Sequence, residues 1–390
     1  MTTKSLFDNT EIAFKLKSNS ELKRAYFLFK MIANEPLVRI GTAVTKFALN
    51  LHLPVERLIR ATVFDHFCGG ISEKDSMNVV DDLYEMGVSS VLDYSVEGKE
   101  EDLQFNGTME KVMELTRFAE NKAAMPFSVF KPTGLGRFNV WQKITEKQSL
   151  NENEKSQWES IVARYDEVCH QAHKSNISLL IDAEESWMQD AADELCEKMM
   201  SIYNKENDIV YNTLQCYRWD RLDYLKEAHK RAKEGGYKLG FKVVRGAYME
   251  KEHERAEEKG YTTPICVSKH ATDENFNTVV QYILDNLDDI SLFLGTHNEA
   301  SIHLTLEWME EKGIARNDSR IWFGQLYGMS DNITFNLGAE RYNVAKYIPF
   351  GPVREVMPYL IRRAEENTSV AGQTSRELNL LNKEKSRRGI

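Results

Sequence analysis

Eight short apolar runs, rich in β-branched residues, recur from residue 87 onward and set the strongest limit on the fold. They are SSVLDY (89–94), PFSVFK (126–131), ISLLID (177–182), IVYNTLQCY (209–217), GFKVVRGAY (240–248), ISLFLG (290–295), RIWFGQLYG (320–328) and NVAKYIPFG (343–351). The runs are continuous rather than alternating, which suits strands buried on both faces of a parallel sheet. Longer amphipathic stretches such as ESIVARYDEVCHQAHKS and DRLDYLKEAHKRAKEG fill the gaps as helices. Eight strand–helix units predict a (β/α)8 barrel of the TIM type. A doubly wound sheet is the competing architecture, but it would carry a GxGxxG fingerprint after its first strand. The chain has only GLG (134–136), which reads as a loop glycine pair. Ahead of the barrel, residues 20–68 read as helical, punctuated by Pro36 and Pro54. FCGGIS (67–72) reads as a loop, and Ser72 with Asp75 offers N-caps for a helix running through Met86. The expected organisation is an N-terminal helical segment (1–86), a barrel (87–375) and a polar, basic C-terminal tail (376–390).

Polar residues end nearly every run: Lys131, Asp182, Gln215, Arg245, His297, Gln325 and Tyr347. In a barrel those ends converge on the active-site mouth. Lys131 in FKPTG suits a Schiff base, a positive charge for an anionic substrate, or a lysine snorkelling to the rim. Asp182 in IDAEE is costly to bury unless paired. It suits a base, a metal ligand or the partner of an arginine, and no second acidic or histidine cluster has metal spacing. KVVRGAYME (242–250) offers an open backbone at Gly246 and Ala247 for a flat ligand, with cations at Lys242 and Arg245 and an aromatic wall at Tyr248. His297 in GTHNE reads as a core or cap histidine, or as a ribose or phosphate contact. Arg362 and Arg363 in YLIRRAEEN read as a solvated basic turn, or as a bidentate grip on a carboxylate or phosphate at the helix start.

Charge excludes one class of partner. The 390 residues carry 50 Lys and Arg against 60 Asp and Glu, a net charge of −10. That argues against nucleic-acid binding, which needs a basic face. No apolar run is long enough to span a bilayer, and no secretory signal opens the chain. The five cysteines are scattered, with no CxxC pair. A reducing compartment is expected: cytoplasmic, or mitochondrial in a eukaryote. No metal is expected.

Taken together, LDYSVE, FKPTG, IDAEE, LQCY, VVRGAY, SKHATD, GTHN, QLYGM and YLIRRAEEN occur in an order that resembles the FAD-dependent proline dehydrogenase family, nearer its monofunctional, mitochondrial-type branch. The resemblance covers roughly residues 65–375 and implies a distorted (β/α)8 barrel holding FAD noncovalently. It implies oxidation of L-proline to Δ1-pyrroline-5-carboxylate, the first step of proline catabolism, by hydride transfer from C5 to flavin N5, with electrons passed to a membrane quinone. Carried over, Lys131, Arg362 and Arg363 grip the proline carboxylate and Asp182 orients Arg363. Tyr248, Leu326, Tyr347 and Tyr359 wall the ring. Glu97 forms an ion-pair gate with Arg362. For FAD, Lys242 falls near N5, where bacterial relatives often have Arg, and Gln215 meets the isoalloxazine edge. Val244, Gly246 and Ala247 line the ring. Lys269, Thr272, Thr296, His297 and Glu366 meet the pyrophosphate, ribityl and adenosine parts.

Tyr347 bears on substrate choice. The family's hydroxyproline-oxidising branch has a smaller residue there, so an intact tyrosine favours proline. Hydroxyproline oxidation and a Schiff-base lyase using Lys131 are the alternatives. One charge feature stays outside the barrel. Residues 1–70 hold ten Lys and Arg against six Asp and Glu, a local +4. A solvated helical cap accounts for it; a peripheral contact with anionic lipid is the sharper reading.

Overall fold

The computed structural model describes residues 3–34, 36, 38, 41, 56–94, 101–369 and 373–390. Every apolar run is a strand: β1 (Ser89–Tyr94), β2 (Phe127–Phe130), β3 (Ser178–Ile181), β4 (Val210–Gln215), β5 (Leu239–Val244), β6 (Ile290–Gly295), β7 (Ile321–Leu326) and β8 (Val344–Phe350). They form a closed barrel in sequence order. The strand pairs whose register is resolved are all parallel. β4 and β8 are buried along their whole length, because side chains on one face fill the barrel and those on the other meet helices. That double burial is why the runs do not alternate.

The chain divides into two compact units, residues 1–97 with 325–390, and residues 98–324. The division falls inside the barrel segment. Its cause is register: Ser89 to Tyr94 of β1 pair with Ala345 to Phe350 of β8, which ties the start of the chain to its end.

The second unit carries β2 to β6 and β7 as far as Gly324. Phe127 packs edge-on against Tyr211, Phe293 and Trp322, with ring centroids 6.0, 5.1 and 5.0 Å away. Its outer helices start and stop on local signals. Glu152–Ser175 opens on a capping box between Asn151 and Glu154 and closes on Asn176 in the left-handed conformation.

In the first unit, helix Asn19–Ile32 opens on a capping box between Ser18 and Glu21 and buries Leu22, Ala25, Phe29 and Ile32 at helical spacing. The helix expected to start at Ser72 or Asp75 spans Met77–Glu85. Ser72 Oγ accepts the Asp75 N–H at 3.1 Å and Asp75 accepts the Ile71 N–H at 3.0 Å, so these residues close a turn instead of capping. Pro54 lies outside the described residues. The C-terminal residues form a helix, Gln373–Arg388, rather than a tail. Leu380 and Leu381 bury against Ala13, Phe14, Leu22, Ala25 and Phe29. Arg376 pairs with Asp8 at 2.7 Å, and Arg388 donates to the Phe14 and Lys17 carbonyls at 2.8 and 2.7 Å. The polar average of this segment hid one apolar face.

Candidate active site

In the second unit the strand ends gather charge. Phe130 and Ile181 are register partners, so the next residues, Lys131 and Asp182, leave neighbouring strands side by side. Lys131 Nζ lies 2.8 Å from Asp182 Oδ2, and Lys242, which projects from β5, takes Oδ1. Lys242 is buried, while Lys131 keeps 37% of its side chain exposed. Burial alone would raise the Asp182 carboxyl, but the two ammonium groups outweigh it and hold it well below the usual carboxylate range. Two cations on one anion leave a net positive charge at the mouth. Asp182 is therefore engaged by Lys131 and Lys242.

Glu184, two residues on, shapes the same corner. Its carboxylate accepts the Thr133 N–H at 2.9 Å and the Thr133 hydroxyl at 2.8 Å, which fixes the turn after Lys131. Its carbonyl accepts Gln215 Nε2 at 3.1 Å. Burial lifts the Glu184 carboxyl to about 7; Glu185 adds to this, while the Thr133 bonds and Lys131 oppose it.

A second cluster follows β5 and β6. Arg245 donates to Asp273 at 2.7 Å, Thr296 at 2.9 Å and Ser301 at 2.9 Å, with its guanidinium 4.3 Å from the Phe276 ring centre. Lys269 pairs with Asp273 at 2.7 Å and leaves 70% of its side chain exposed. Thr272 is buried, and His297 is half-buried. Gly246 and Ala247 are exposed. Gly246 has φ +125°, and a Cβ there would meet the Tyr217 ring at 2.5 Å, so glycine is required by the backbone and its neighbour alike. The Val244 carbonyl accepts the Cys216 N–H at 2.8 Å. Tyr248 is half-buried and stands before helix Met249–Lys259, where burial pushes its phenol up. Val267, beside Lys269 in sequence, is 98% exposed.

The first unit holds the other candidates. Tyr347 and Tyr359 are buried, and Leu326 packs on the cluster that contains Tyr359. The Tyr347 carbonyl accepts the Tyr327 N–H at 2.8 Å. On helix Met357–Ser369, Arg362 is exposed, and the Arg363 guanidinium lies 5.4 Å from the Tyr359 ring centre. The side chains of Glu97 and Glu366 lie outside the described residues.

Sequence reasoning missed Glu184, Asp273 and the buried Lys346. Each had a faint signal: the second acid of IDAEE, an acid four residues after Lys269, and one lysine inside an apolar run. Among the described residues, no group of three or more His, Cys, Asp or Glu is arranged to hold a metal.

The family model described as proline dehydrogenase matches residues 76–376. The chain is 34% identical over 363 residues to the carbapenem antibiotics biosynthesis protein CarD of Pectobacterium carotovorum subsp. carotovorum, covering 92% of this chain and 94% of that protein. It is 31% identical over 431 residues to the mitochondrial proline dehydrogenase 1 of Dictyostelium discoideum, covering 97% and 74%. Against the human mitochondrial proline dehydrogenase 1 it is 39% identical over 235 residues, covering 60% and 39%. Among solved structures, it matches proline utilization A from Bdellovibrio bacteriovorus inactivated by N-propargylglycine with a TM-score of 0.69 at 19% identity. That match covers 94% of this chain and 37% of the other, and shows a shared fold.

Proposed function

The chain belongs to the proline dehydrogenase family, and from that premise we propose that it oxidises L-proline to Δ1-pyrroline-5-carboxylate with FAD as its cofactor. The observation that carries the reading is the Lys131–Asp182–Lys242 cluster, whose net positive charge at the strand ends suits a substrate carboxylate. Lys131, Arg362 and Arg363 are assigned to that carboxylate, the arginines for their planar fork. Asp182 holds the two lysines in place. Tyr248, Leu326, Tyr347 and Tyr359 are assigned to the ring walls, and Glu97 to a gate with Arg362. Loss of a hydride from C5 and a proton from nitrogen leaves the C=N bond of the product. Such a step asks the chain for orientation and exclusion of water, not for a side-chain nucleophile.

The residues present fit a flat, anionic cofactor. Gly246 and Ala247 expose backbone, Val267 exposes an apolar side chain, and Lys269 keeps most of its side chain in solvent at the start of helix Lys269–Asp285. When bound, FAD supplies the hydride acceptor. Lys242, Gln215 and Val244 are assigned to the flavin ring with Gly246 and Ala247. Lys269, Thr272, Thr296, His297 and Glu366 are assigned to the remainder.

A Schiff-base reaction at Lys131 needs the neutral amine, whereas Asp182 at 2.8 Å favours the ammonium. Tyr347 fills its position, which favours proline over hydroxyproline. Transfer of electrons to a membrane quinone, with peripheral contact to anionic lipid, completes the proposal. Helix Asn19–Ile32 supports the contact: Phe27 (64% exposed) and Met31 stand in solvent beside Lys23, Arg24 and Lys30. Among the described residues no helix is long and apolar enough to cross a membrane.

Anaerobic titration of the purified protein with L-proline and with trans-4-hydroxy-L-proline tests cofactor, reaction and selectivity together. The expected result is a yellow protein bleached by proline at much lower concentration. A protein that binds no FAD on reconstitution, or keeps its flavin spectrum unchanged in proline, overturns the reading.

A further inference from the structure

The turn that follows β7 is built round a buried ammonium. Lys346 precedes Tyr347 on β8, so their side chains take opposite faces of the strand. Lys346 is fully buried. Its Nζ lies 3.0 Å from Asp331 Oδ1 and 3.3 Å from the Leu326 carbonyl, and it also donates to the Met329 carbonyl. The other Asp331 oxygen lies 3.1 Å from Lys17. Glu377 enters from helix Gln373–Arg388 and accepts the Ser330 N–H at 2.6 Å, where Ser330 holds φ +51°. Gly328 in the same turn has φ +78° and accepts from His66 Nε2 at 3.0 Å. Two lysines and two carboxylates thus balance inside the first unit. A buried ionic set is a weak source of stability compared with apolar packing, but it fixes geometry. Here the geometry bears on Leu326, whose carbonyl Lys346 holds, and on Tyr347, the next residue on β8.

We propose that Lys346, Asp331 and Glu377 are a positioning network that holds the 325–330 turn in one shape, so that the C-terminal helix, through Glu377, sets where Leu326 and Tyr347 stand and how well ring-substituted prolines are rejected. The proposal rests on the reading of those two residues as pocket walls. Glu377 faces Asp331, Lys346 and Lys17. Glu21 and Tyr327 face Lys17, and His66 faces Lys17 and Asp331. Burial lifts the Glu377 carboxyl to about 7, with Asp331 adding to the effect and Lys346 and Lys17 opposing it. The charge balance of the set therefore changes near neutral pH.

The full-length, FAD-loaded protein is compared as wild type, Glu377→Ala and Glu377→Gln. Amide hydrogen exchange over residues 325–331 reads the turn, and kinetics with L-proline and trans-4-hydroxy-L-proline read the pocket. Glu377→Ala should exchange about tenfold faster in that segment, raise KM for proline with little change in kcat, and lower the preference for proline over hydroxyproline. Glu377→Gln still offers Ser330 an acceptor oxygen. It should restore protection and selectivity, but flatten the dependence of KM on pH between about 6 and 8 relative to wild type, leaving the share that Glu184 contributes in both proteins. Wild-type exchange in Glu377→Ala overturns the network. Faster exchange with unchanged selectivity overturns its link to the pocket. Should Glu377→Ala fail to fold, a Glu377→Gln profile superimposable on wild type overturns the proposal and a flattened one supports it. A protein that exchanges as expected but never oxidises proline refutes the functional reading and leaves the network standing.

Discussion

Glu184→Gln should make the protein more stable at pH 8 and leave it unchanged at pH 5. Glu184 is buried, and its carboxyl is lifted from 4.5 to about 7. A carboxyl raised in the folded state binds its proton more tightly there than in the unfolded chain. The resulting stability is fully present below pH 4.5 and is lost as pH rises to about 7. At about 1.4 kcal/mol per pH unit, the loss is about 3 kcal/mol by pH 8. Glutamine removes that titration while its amide can still accept the Thr133 N–H and donate to the Thr133 hydroxyl, so the turn after Lys131 keeps its bonds. Urea denaturation at several pH values, with FAD held at one saturating concentration, measures the difference between variant and wild type. Glu377 titrates in both proteins and cancels. The difference should grow by about 2.5 kcal/mol in favour of the variant between pH 5 and pH 8. Parallel profiles would refute the claim that burial at this corner holds a proton.

Asp182→Asn leaves the buried Lys242 and the half-exposed Lys131 without their shared anion. It should destabilise the fold by about 3 kcal/mol or more, read as a lower urea midpoint at unchanged slope. Gly246→Ala forces φ +125° on an alanine and drives its Cβ into the Tyr217 ring, costing about 1–3 kcal/mol. If the flavin lies against this backbone, the purified variant also loses cofactor on dialysis; full retention with unchanged stability counts against both points. Arg363→Lys keeps the charge and loses the fork, so KM for proline should rise about tenfold or more with a smaller change in kcat. Unchanged proline kinetics would remove Arg363 from the carboxylate site.

Legibility in the sequence followed the range of the interactions involved. Each strand was readable because a segment buried on both faces needs a continuous apolar run, and that requirement is local. Lys131 and Asp182 were readable as strand-end residues for the same reason. Their actual partnership was not, because Lys242 reaches Asp182 from another strand, 60 residues away in sequence. The C-terminal helix was misread as a tail because two adjacent leucines carry its buried face, and averaged polarity conceals so few contacts.

What the sequence determined by itself was periodic: eight strands, the helices between them, and the chemical types available at the strand ends. What tertiary structure decided was pairing. The register of β1 with β8 joins the chain's beginning to its end. Asp182 takes two lysines, Arg245 takes Asp273 and Thr296, and Lys346 sits inside a turn made by another strand. The physical reason is that burial and backbone hydrogen bonding repeat along the chain with a fixed period, whereas a buried charge is stabilised only by whichever opposite charge the fold carries to it.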